Sequence, residues 1–592
     1  LNTSDYIAEP DRQLSDRSFY RAIDQDPTPS FCLLINKKID ELVTSKLIPS
    51  HISKFLRPKN VTPGNFYLLI KVHKPNNPGR PIISGINTPT EKLSLVADHC
   101  IKHIPPLLPS FVKDTNDFLS KINAVHDHFS NHGDILLATM DVVSLYTNIP
   151  NDEGLSAVEH FLNSHPSDIL PMPAIIPLLE LVLSCNNFVF NDQHFVQIHG
   201  AAMGSRVSPN YANLFMGRFE NLALNSFPLK PLIYLRFIDD IFVLWSGDEA
   251  SLQSFFDHFN SLHSKIKFTC NYSRSSINFL DVTVSCKSGR LTTELYKKPT
   301  DKRQYLHYES YHPNHQKRSI PYGQFLRLKR ICSDQTDFVK HAQQMVSDFE
   351  KRNYPFELIH DSFAKSSSLS RESLFTPKRK EDLSNVVLST TYHKSLVNTN
   401  SILRRHLNIL HADEQLKEIF PTPPLVAFRR SKNLRDILTS SCMMKRSPGC
   451  YPCGSTRCQT CKFIAPSTIA RSTLGDFCLK IRHSLHCNSP NICYLIFCCK
   501  CNSQYIGETS NTMRKRFYGH KFDILNARQT PVAIHFNQPN HDFETDLKII
   551  LLESGFRTDI KRKNRESYLI SQFKCLTPNG LNLSPGSLYP LM

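Results

Sequence analysis

Long apolar runs are absent from this sequence of 592 residues. The nearest run, from Ile175 to Cys185, contains Glu180 and is shorter than the roughly 20 residues that a membrane-spanning helix needs. Internal repeats and collagen-like or coiled-coil periods are absent as well. We therefore expect a globular protein without a membrane partner, and the length predicts roughly three or four domains.

Secretion signals are also lacking, since no signal peptide opens the sequence. This favours a reducing interior, in which the 18 cysteines would serve as thiols or metal ligands rather than form disulfides. The chain begins with Leu1, which leaves a truncated N-terminal segment open.

Positive charge, by contrast, is abundant, and the formal net charge is +17. A basic balance of this size indicates a polyanionic partner, for which nucleic acid is the first candidate. The run Pro377-Lys-Arg-Lys380 is a weak nuclear import signal.

Two adjacent carboxylates stand in an apolar hairpin, Tyr234-Leu-Arg-Phe-Ile-Asp239-Asp240-Ile-Phe-Val-Leu. Unpaired charges in a buried strand would each cost on the order of several kcal/mol. A divalent metal is the usual compensation, and two metals bridged by carboxylates drive in-line phosphoryl transfer. An ordinary Asp-Asp turn at a hairpin tip is the alternative, and this segment alone does not decide between them.

Other segments favour the metal site. The strand Ala138-Thr-Met-Asp141 ends on a carboxylate that precedes Asp239 by 239 − 141 = 98 residues. Between the two, the small residues of the segment 200–213 allow a loop and a helix start to approach a base pair closely. Upstream, Lys71, Lys74 and Arg80 flank a hairpin as a triphosphate clamp would, although Lys71 could equally be a solvated strand residue.

In this order and spacing the segments resemble the fingers and palm of reverse transcriptases. The first metal-binding block is Met140-Asp-Val-Val-Ser-Leu-Tyr-Thr-Asn-Ile-Pro150, and the second is Phe237-Ile-Asp-Asp240, which more often begins with Tyr. The template-and-nucleotide block is Ala202-Met-Gly-Ser-Arg-Val-Ser-Pro209, where many relatives have Gln instead of Met203. With the terminal module described below, the chain resembles Penelope-like retroelement proteins, a family related to telomerase, over roughly residues 60–590.

The resemblance implies roles for single residues of the polymerase site. Asp141 and Asp239 would hold two Mg²⁺ ions, with Asp240 supporting them. The ring of Tyr146 would exclude a ribose 2′-hydroxyl and so select deoxynucleotides, and a core aromatic is the alternative interpretation of Tyr146. The residues implied to bind nucleotide are Lys74, Arg80, Tyr146, Met203 and Gly204.

Two C-x₂-C pairs, Cys450-Tyr-Pro-Cys453 and Cys458-Gln-Thr-Cys461, precede the terminal module. Four such thiolates can form a tetrahedral zinc site, and the resemblance also implies a zinc-binding segment here. The pairs could equally belong to separate sites. Other candidate ligands are His483, His486, Cys487, Cys493, Cys498 and Cys501.

The end of the chain resembles a GIY-YIG endonuclease. The second signature, Tyr505-Ile-Gly507, is intact, whereas Ile492-Cys493-Tyr494 keeps only the tyrosine of the first. The resemblance implies that Glu566 binds a single Mg²⁺ ion and that Tyr494 or Tyr505 orients or deprotonates the attacking water. A core strand residue is the alternative interpretation of Tyr494.

Further nuclease residues follow from the same resemblance. Arg516 would stabilise charge on the scissile phosphate, and His520 and Asn582 would support the site. Arg516 is preferred to Arg514 because an apolar residue follows it and His520 lies four positions on.

These observations predict an α+β architecture: right-hand polymerase fingers and palm, a helical thumb, a Cys-rich zinc-type linker and a small α+β GIY-YIG nuclease. Local patterns also predict helical regions over 93–131, 152–184 and 207–224 and a hairpin over 188–198, around Asn191-Asp192. The predicted domains are an N-terminal helical segment (1–60), fingers and palm (61–300), thumb and basic connector (301–420), Cys-rich linker (421–490) and nuclease (491–592).

The predicted function is RNA-directed DNA synthesis coupled to DNA cleavage, which the resemblance implies is target-primed. The expected partners are an RNA template, a DNA target or primer and dNTPs, and the expected location is the nucleus. A non-catalytic nucleic-acid-binding derivative is the alternative, but such decay would usually remove an aspartate or Glu566 first. An RNA-dependent RNA polymerase is opposed by Tyr146 and by the attached nuclease.

Overall fold

The computed structural model describes residues 2–59, 61–72, 74–125, 135–287, 290–375, 386–438, 448–453, 458–556 and 558–586. These residues form two compact units, Leu1–Asn433 and Leu434–Met592. The segment Pro377-Lys-Arg-Lys380 lies outside the described residues. Within the described ranges, no helix combines the length and the apolar character needed to cross a bilayer.

The N-terminal part of the first unit, residues 3–226, contains both helices and strands. They are α1 (Thr3–Leu14), β1 (Tyr20–Ile23), α2 (Thr28–Thr44), α3 (Ser50–Leu56), β2 (Gly64–Ile70), β3 (Gly79–Ile83), α4 (Glu91–Ile101), α5 (Thr115–Val125), β4 (Ile135–Val142), α6 (Leu145–Asn148), α7 (Asn151–Ser164), α8 (Met172–Ser184), β5 (Asn187–Phe190), β6 (Gln193–Gln197) and α9 (Ser208–Ser226).

The same unit continues through a second set of elements. They are β7 (Ile233–Phe237), β8 (Asp240–Ser246), α10 (Glu249–Ser261), β9 (Phe268–Ser273), β10 (Ser276–Phe279), β11 (Val282–Lys287), β12 (Arg290–Leu295), α11 (Asn314–Ile331), α12 (Gln335–Glu350), α13 (Phe356–Ser367), β13 (Val387–Thr391), α14 (Thr399–Arg405), α15 (Leu407–Leu410), α16 (Glu414–Ile419) and β14 (Leu425–Arg429).

A five-stranded sheet in the order β1-β6-β5-β2-β3 occupies the N-terminal part. Its core is aromatic, and the rings of Phe66 and Phe188 stack with centroids 5.4 Å apart. The predicted hairpin at 188–198 is present, and its turn residues Asn191 and Asp192 adopt the left-handed conformation of a tight two-residue turn. Segment 1–60, predicted as helical, also contributes β1, because its partner β6 lies far along the sequence.

A four-stranded antiparallel sheet in the order β7-β8-β4-β9 forms the centre of the unit. Side chains alternate between its faces, as strand geometry requires. Leu136, Ala138 and Met140 of β4 face a core that contains the helices α7 to α10, whereas Leu137 faces the other core, which contains α11 to α13. Both faces are therefore covered, which explains the apolar run that the sequence shows in this strand.

The predicted helical stretch 93–131 is divided into α4 and α5, and Pro105–Leu107 forms a short 3₁₀ turn between them. Its residues 126–131 lie outside the described ranges. Farther on, β10, β11 and β12 form a small antiparallel sheet against which α11 and α12 pack. The parallel pair of β13 and β14 interrupts the region that the sequence predicted as mainly helical.

The second unit contains the Cys-rich segment and the terminal module. Its elements are α17 (Leu434–Leu438), β15 (Gly449–Tyr451), β16 (Ile469–Arg471), β17 (Cys478–Lys480), β18 (Ser484–His486), β19 (Ile492–Cys498), β20 (Gln504–Thr509), α18 (Met513–Leu525), α19 (Pro531–Phe536), α20 (Phe543–Asp546), β21 (Leu547–Ser554) and α21 (Asp559–Phe573).

The sheet of this unit has the order β20-β19-β21. β19 is apolar on both faces, and residues of the Cys-rich segment such as Cys450, Phe463 and Leu485 belong to the same hydrophobic core as Tyr494. The Cys-rich segment thus packs as part of this unit. The sequence did not predict that contact, because it depends on pairing between distant residues.

Candidate functional sites

Three carboxylates meet at one end of the central sheet. Asp141 lies near the end of β4, directly opposite Asp240, the first residue of β8. Asp239 precedes it in the turn between β7 and β8, and the amide of Val142 donates a hydrogen bond of 3.0 Å to the Asp239 carbonyl. β4 and β8 are antiparallel neighbours, so the structure brings together the aspartates that the sequence had grouped.

Burial and neighbouring charge disfavour ionisation of two of these carboxyl groups, Asp141 and Asp240. Partial burial, followed by the charges of Asp239 and Asp141, raises the pKa of Asp240 to about 6. Burial and Asp239 also raise the pKa of Asp141. Asp141 and Asp240 keep exposed surface, although neighbouring atoms desolvate their carboxyl groups. Accessible oxygen ligands with mutually unfavourable charges fit a divalent cation such as Mg²⁺.

Cations from the β2–β3 hairpin face these carboxylates. Arg80 lies in β3, whereas Lys71 and Lys74 belong to the loop that follows β2. Partial burial, with Lys74 and Arg80 next, lowers the pKa of Lys71, and Asp141 and Asp239 act in the opposite direction. The hairpin therefore presents positive charge to the carboxylate site, as binding of a polyphosphate requires.

Tyr146, in α6, borders the same space. Burial and the charge of Asp239 raise the pKa of its phenol to about 12, while Arg80 acts in the opposite direction. The amide of Ala201 donates a hydrogen bond of 2.8 Å to the Tyr146 carbonyl. Gly200 has a φ of +71°, and a Cβ there would lie 2.3 Å from that carbonyl oxygen, so glycine is required for this close approach.

Met203 and Gly204 join the edge of β3. The amide of Ile83 donates a hydrogen bond of 2.9 Å to the Met203 carbonyl. Gly204 has a φ of +134°, and a Cβ at this position would lie 2.1 Å from the Ile83 carbonyl oxygen. The hydroxyl groups of Ser205 and Ser94 lie 2.7 Å apart and fasten the loop to α4. The 200–205 loop is thereby fixed against β3, α4 and α6.

In the second unit, predicted nuclease residues surround one buried phenol. Tyr494 of β19 is fully buried, and its hydroxyl lies 2.8 Å from His520 Nε2 and accepts a hydrogen bond of 2.9 Å from Arg516 Nε. The ring of Tyr505 lies 6.0 Å from that of His520 between centroids. Burial and the charge of Arg516 lower the pKa of His520 to about 3, so this imidazole is neutral at physiological pH.

Glu566 of α21 faces this group. Burial and the charge of Glu508 raise the pKa of Glu566 to about 7, and Arg516 acts in the opposite direction. The carboxylate also raises the pKa of Tyr494 and of Tyr505, for both of which burial is the largest cause. A half-buried carboxylate with a raised pKa fits a cation ligand.

Asn582 supports the strand that carries Tyr505. Its side chain donates a hydrogen bond of 2.8 Å to the Ile506 carbonyl and accepts one of 2.9 Å from the Ile506 amide. Asn582 is buried and thus pairs with both backbone groups of Ile506, which lies in β20 at the edge of the sheet. Its place in the structure is therefore that of a support for β20.

Four thiols converge in the Cys-rich segment. Their Sγ atoms all lie within 4.8 Å of one another, and the residues are Cys453, Cys458, Cys461 and Cys487. Three of these residues belong to the two C-x₂-C pairs, and Cys487 was among the other candidate ligands. Cys450 is buried in the core, where its Sγ accepts a hydrogen bond of 3.2 Å from the Leu551 amide, and Cys487 takes its place in the group. The pairing of β15 with β18 brings the segment before Cys487 alongside Cys450.

A second such group combines Cys498 and Cys501 with His535 and His541. The two cysteines are candidate ligands from the sequence, whereas His535 and His541, 34 and 40 residues downstream of Cys501, are not predicted from it. The structure also adds Lys298 to the carboxylate site. Burial, Asp239 and Asp141 raise the pKa of Asp240, and the charge of Lys298 acts in the opposite direction. Spacing gave no signal for these residues because loop and helix packing determine their proximity.

Comparison with protein families covers the segment that contains the first of these sites. Residues 72–309 match the family described as reverse transcriptase (RNA-dependent DNA polymerase). The chain contains a reverse transcriptase domain. The matched residues include all three aspartates of the site, together with Lys74, Arg80, Tyr146, Met203 and Gly204.

Residues 304–364 match the family described as the animal helix-turn-helix domain. They overlap the last six residues of the reverse transcriptase match, 304–309, and include α11, α12 and most of α13. The sequence had predicted a thumb and a basic connector for residues 301–420. The composition of these helices does not distinguish a thumb from a helix-turn-helix domain.

Among solved structures, similarity is distant. The truncated apo telomerase from Candida Tropicalis is 14% identical, with 42% of this chain and 59% of that chain covered and a TM-score of 0.31. Telomerase from Candida albicans with a fragment of telomeric RNA is 11% identical, with 56% and 59% covered and a TM-score of 0.38. The BmCPV RNA-dependent RNA polymerase is 13% identical, with 50% and 27% covered and a TM-score of 0.31.

The chain therefore spans about three fifths of the length of these two telomerase chains. No curated protein matches it.

Proposed function

We propose that this protein is a polymerase–nuclease of a Penelope-like retroelement, an RNA-directed DNA polymerase joined to a GIY-YIG DNA endonuclease. The observation that carries the proposal is the group of Asp141, Asp239 and Asp240 within a reverse transcriptase domain. Cations of the β2–β3 hairpin face this group. A non-catalytic binding protein explains this arrangement less well, because three neighbouring carboxylates that repel one another would lower its stability without serving a function.

In the polymerase, Asp141, Asp239 and Asp240 would hold two Mg²⁺ ions. When bound, such ions supply activation of the primer 3′-hydroxyl and neutralisation of charge on the leaving pyrophosphate. Lys74 and Arg80 bind the triphosphate of the incoming nucleotide by ion pairing. The chain's own contribution is to orient that triphosphate against the carboxylate site.

Two further features of the site select the substrate in this proposal. The ring of Tyr146 occupies the space beside the sugar and excludes a 2′-hydroxyl, which favours dNTPs. Gly204 presents backbone without a side chain, so that a base pair can approach the loop, and Met203 lies next to it. The fixed geometry of the 200–205 loop against β3 supports this role.

In the nuclease, Glu566 would hold one Mg²⁺ ion, and Arg516 stabilises negative charge on the scissile phosphate. Tyr505 is only half-buried and is the tyrosine that orients the attacking water. Tyr494 is fully buried, so its hydroxyl instead positions Arg516 and His520. His520 and Asn582 complete the support of this site.

The thiol group is proposed to bind one Zn²⁺ ion. Cys453, Cys458, Cys461 and Cys487 offer four sulfur ligands, the usual set of a structural zinc site. Such an ion would link the Cys-rich segment to the start of α18, because the amide of Arg514 donates a hydrogen bond to the Cys487 carbonyl.

The proposed reaction sequence is target-primed. The nuclease nicks a DNA target, and the polymerase then copies an RNA template from the exposed 3′ end with dNTPs. Such a sequence takes place where chromosomal DNA is found, and the proposed location is the nucleus.

The polymerase is tested by primer extension on an RNA template with dNTPs and Mg²⁺. The unsubstituted protein should extend the primer, and Asp239→Asn should lower the rate by about 100-fold or more. The matched control is Asp257→Asn, which changes an exposed aspartate in α10 and should retain the activity. Folded protein that extends no primer would favour the non-catalytic derivative.

The nuclease is tested on the same preparation by nicking of supercoiled DNA. Glu566→Gln should abolish nicking while primer extension persists, because the two sites use different carboxylates. Glu418→Gln, at an exposed position in α16, is the control that should leave both activities unchanged. Nicking that survives Glu566→Gln would contradict the assignment of this site.

A further inference from the structure

The turn that carries Asp239 has an unusual backbone. Phe237 pairs with Asp240, so only Ile238 and Asp239 join β7 to β8. Ile238 has a φ of 56°, the left-handed region that a β-branched side chain strongly disfavours. A strained conformation of this kind persists only where the surrounding structure imposes it. Buried side chains next to this turn supply the contacts that impose the conformation.

Arg236 contacts the strained residue through its guanidinium group. It is fully buried, and its Nη1 donates hydrogen bonds to the Ile238 carbonyl over 3.2 Å and to Asn213 Oδ1 over 2.6 Å. Its Nη2 donates to the Asn213 carbonyl over 3.2 Å. The planar fork of arginine thus connects the turn to the backbone and side chain of one helical residue, which a lysine could not do.

Glu220 compensates the buried charge of Arg236. Glu220 Oε1 accepts hydrogen bonds from Arg236 Nε over 2.6 Å and from the Tyr234 hydroxyl over 3.0 Å. Its Oε2 accepts one from Ser110 Oγ over 2.6 Å. A buried ion pair is tolerated when further hydrogen bonds satisfy both partners, as they do here. The pair is therefore a rigid support.

Asn213 and Glu220 both belong to α9, the helix that follows the 200–205 loop. The backbone of Arg236 is held as well, because its amide donates to the Ser110 carbonyl over 2.6 Å and its carbonyl accepts from Val112 over 2.8 Å. Arg236 thus connects α9, the helix after the 200–205 loop, to the turn that carries Asp239.

We infer that Arg236 is a positioning residue for nucleotide transfer. By binding the Ile238 carbonyl from a frame made of Asn213 and Glu220, it holds the turn in the left-handed conformation and places Asp239 beside Asp141. The inference rests on the polymerase activity proposed above. It assigns Arg236 no contact with substrate, so its loss should affect the chemical step rather than binding.

Arg236→Lys tests this assignment because lysine keeps the charge opposite Glu220 but cannot reach both Asn213 and Ile238. We expect kcat for nucleotide addition to fall by about 10- to 100-fold, as displacement of a reacting group does. The KM for dNTP and the affinity for primer–template should change by less than about two-fold. Arg218→Lys is the matched control, since Arg218 is exposed, lies on α9 with Asn213 and Glu220, and donates a hydrogen bond to Ser156.

Rescue distinguishes positioning from a general loss of stability. Asn tolerates the left-handed region, so Ile238→Asn should relieve the strain that Arg236 opposes. In the Arg236→Lys background, Ile238→Asn should recover kcat at least about five-fold. A loss of kcat that Ile238→Asn leaves unchanged, or a kcat that Arg236→Lys does not lower, would overturn the inference.

A second readout needs no activity. The amide of Val142 donates to the Asp239 carbonyl, so its hydrogen exchange reports on the position of the turn. Exchange in a peptide containing Val142 should rise in Arg236→Lys and return toward the unsubstituted rate with Ile238→Asn. If the unsubstituted protein extends no primer, the proposed function fails, and exchange alone still decides the role of Arg236. Should Arg236→Lys not fold, Asn213→Ala takes its place, with the same expected exchange and the same overturning result.

Discussion

Carboxyl groups with raised pKa values mark the two proposed sites. Asp240 and Glu566 have pKa values of about 6 and about 7, in both cases chiefly because of burial. An ordinary surface carboxylate has a pKa of about 4. Each of these groups is thus less stable as an anion than it would be in water, and a bound cation would reverse that.

The first prediction concerns the stability of the second unit with chelator present. Glu566 should bind its proton more tightly in the folded than in the unfolded state, with pKa values of about 7 against 4.5. Stability is therefore lost as pH rises between these values and stays low above pH 7. Glu566→Gln removes this cost, and we expect it to stabilise the unit by about 1–2 kcal/mol at pH 8, allowing for partial solvent screening.

The measurement is thermal unfolding of both proteins with EDTA at pH 4.5 and pH 8. The difference should vanish at the lower pH, where Glu566 is protonated in the folded state. Glu418→Gln should show no difference at either pH. A stabilisation of equal size at both pH values would contradict the explanation by burial of charge.

At the scale of elements, the sites depend on loops that are fastened to strands. The 200–205 loop contacts β3 at Ile83 and contacts the backbone of Tyr146, and in both places a glycine permits the approach. The loop thus lies between β3, which carries Arg80, and α6, which follows the strand that ends near Asp141. Its position therefore determines the space left for a nucleotide.

The second prediction is that Gly204→Ala disrupts this junction. The new Cβ would meet the Ile83 carbonyl at 2.1 Å, and the φ of +134° is unfavourable for alanine. We expect a loss of roughly 1–3 kcal/mol in the stability of the first unit and a fall of about 10-fold or more in primer extension. Thermal unfolding and the extension assay measure both.

Gly323→Ala provides the contrast, because a Cβ at this exposed position in α11 has open space. Replacing glycine by alanine within a helix is stabilising by up to about 1 kcal/mol. Primer extension should be retained. Equal behaviour of the two variants would show that the junction at Ile83 is not needed.

The elements also show where local sequence patterns succeed. The hairpin at 188–198 was predicted correctly, because its two-residue turn and alternating strands are both local signals. The helices around 152–184 and 207–224 were predicted for the same reason. β1, β13 and β14 were missed, since each is short and is paired only with a strand far along the chain.

For the whole molecule, the division into two units has a thermodynamic consequence. The thiol group lies in the unit Leu434–Met592, and its residues share a core with the proposed nuclease. A metal that binds the folded state stabilises only the unit that contains its ligands.

The third prediction tests which four thiols bind zinc. Cys487→Ser should lower the zinc content by about one ion per chain and lower the unfolding temperature of the second unit alone. Cys450→Ser should keep that zinc ion, because Cys450 lies outside the group. Cys499→Ser, at an exposed position, is the control. Zinc analysis of the folded proteins decides the set, and loss of the ion in Cys450→Ser but not in Cys487→Ser would restore the ligand set predicted from the sequence.

The sequence by itself singled out the carboxylates of the reverse transcriptase domain. Apolar strands that end on carboxylates, at Asp141 and Asp239, need a partner for their charge, and the order of the blocks between them is distinctive. The same holds for the terminal module, where the side chains predicted from short motifs meet around Tyr494. These features follow from local patterns, which a sequence records directly.

Only the tertiary structure decided which distant groups share a site. It replaced Cys450 by Cys487, added His535 and His541 to two cysteines, and placed Arg236 beneath the turn of Asp239. Each of these contacts joins residues on separate elements or depends on a turn geometry that composition does not specify. The sequence determines which groups require partners, whereas the packing of strands and helices decides which partners they obtain.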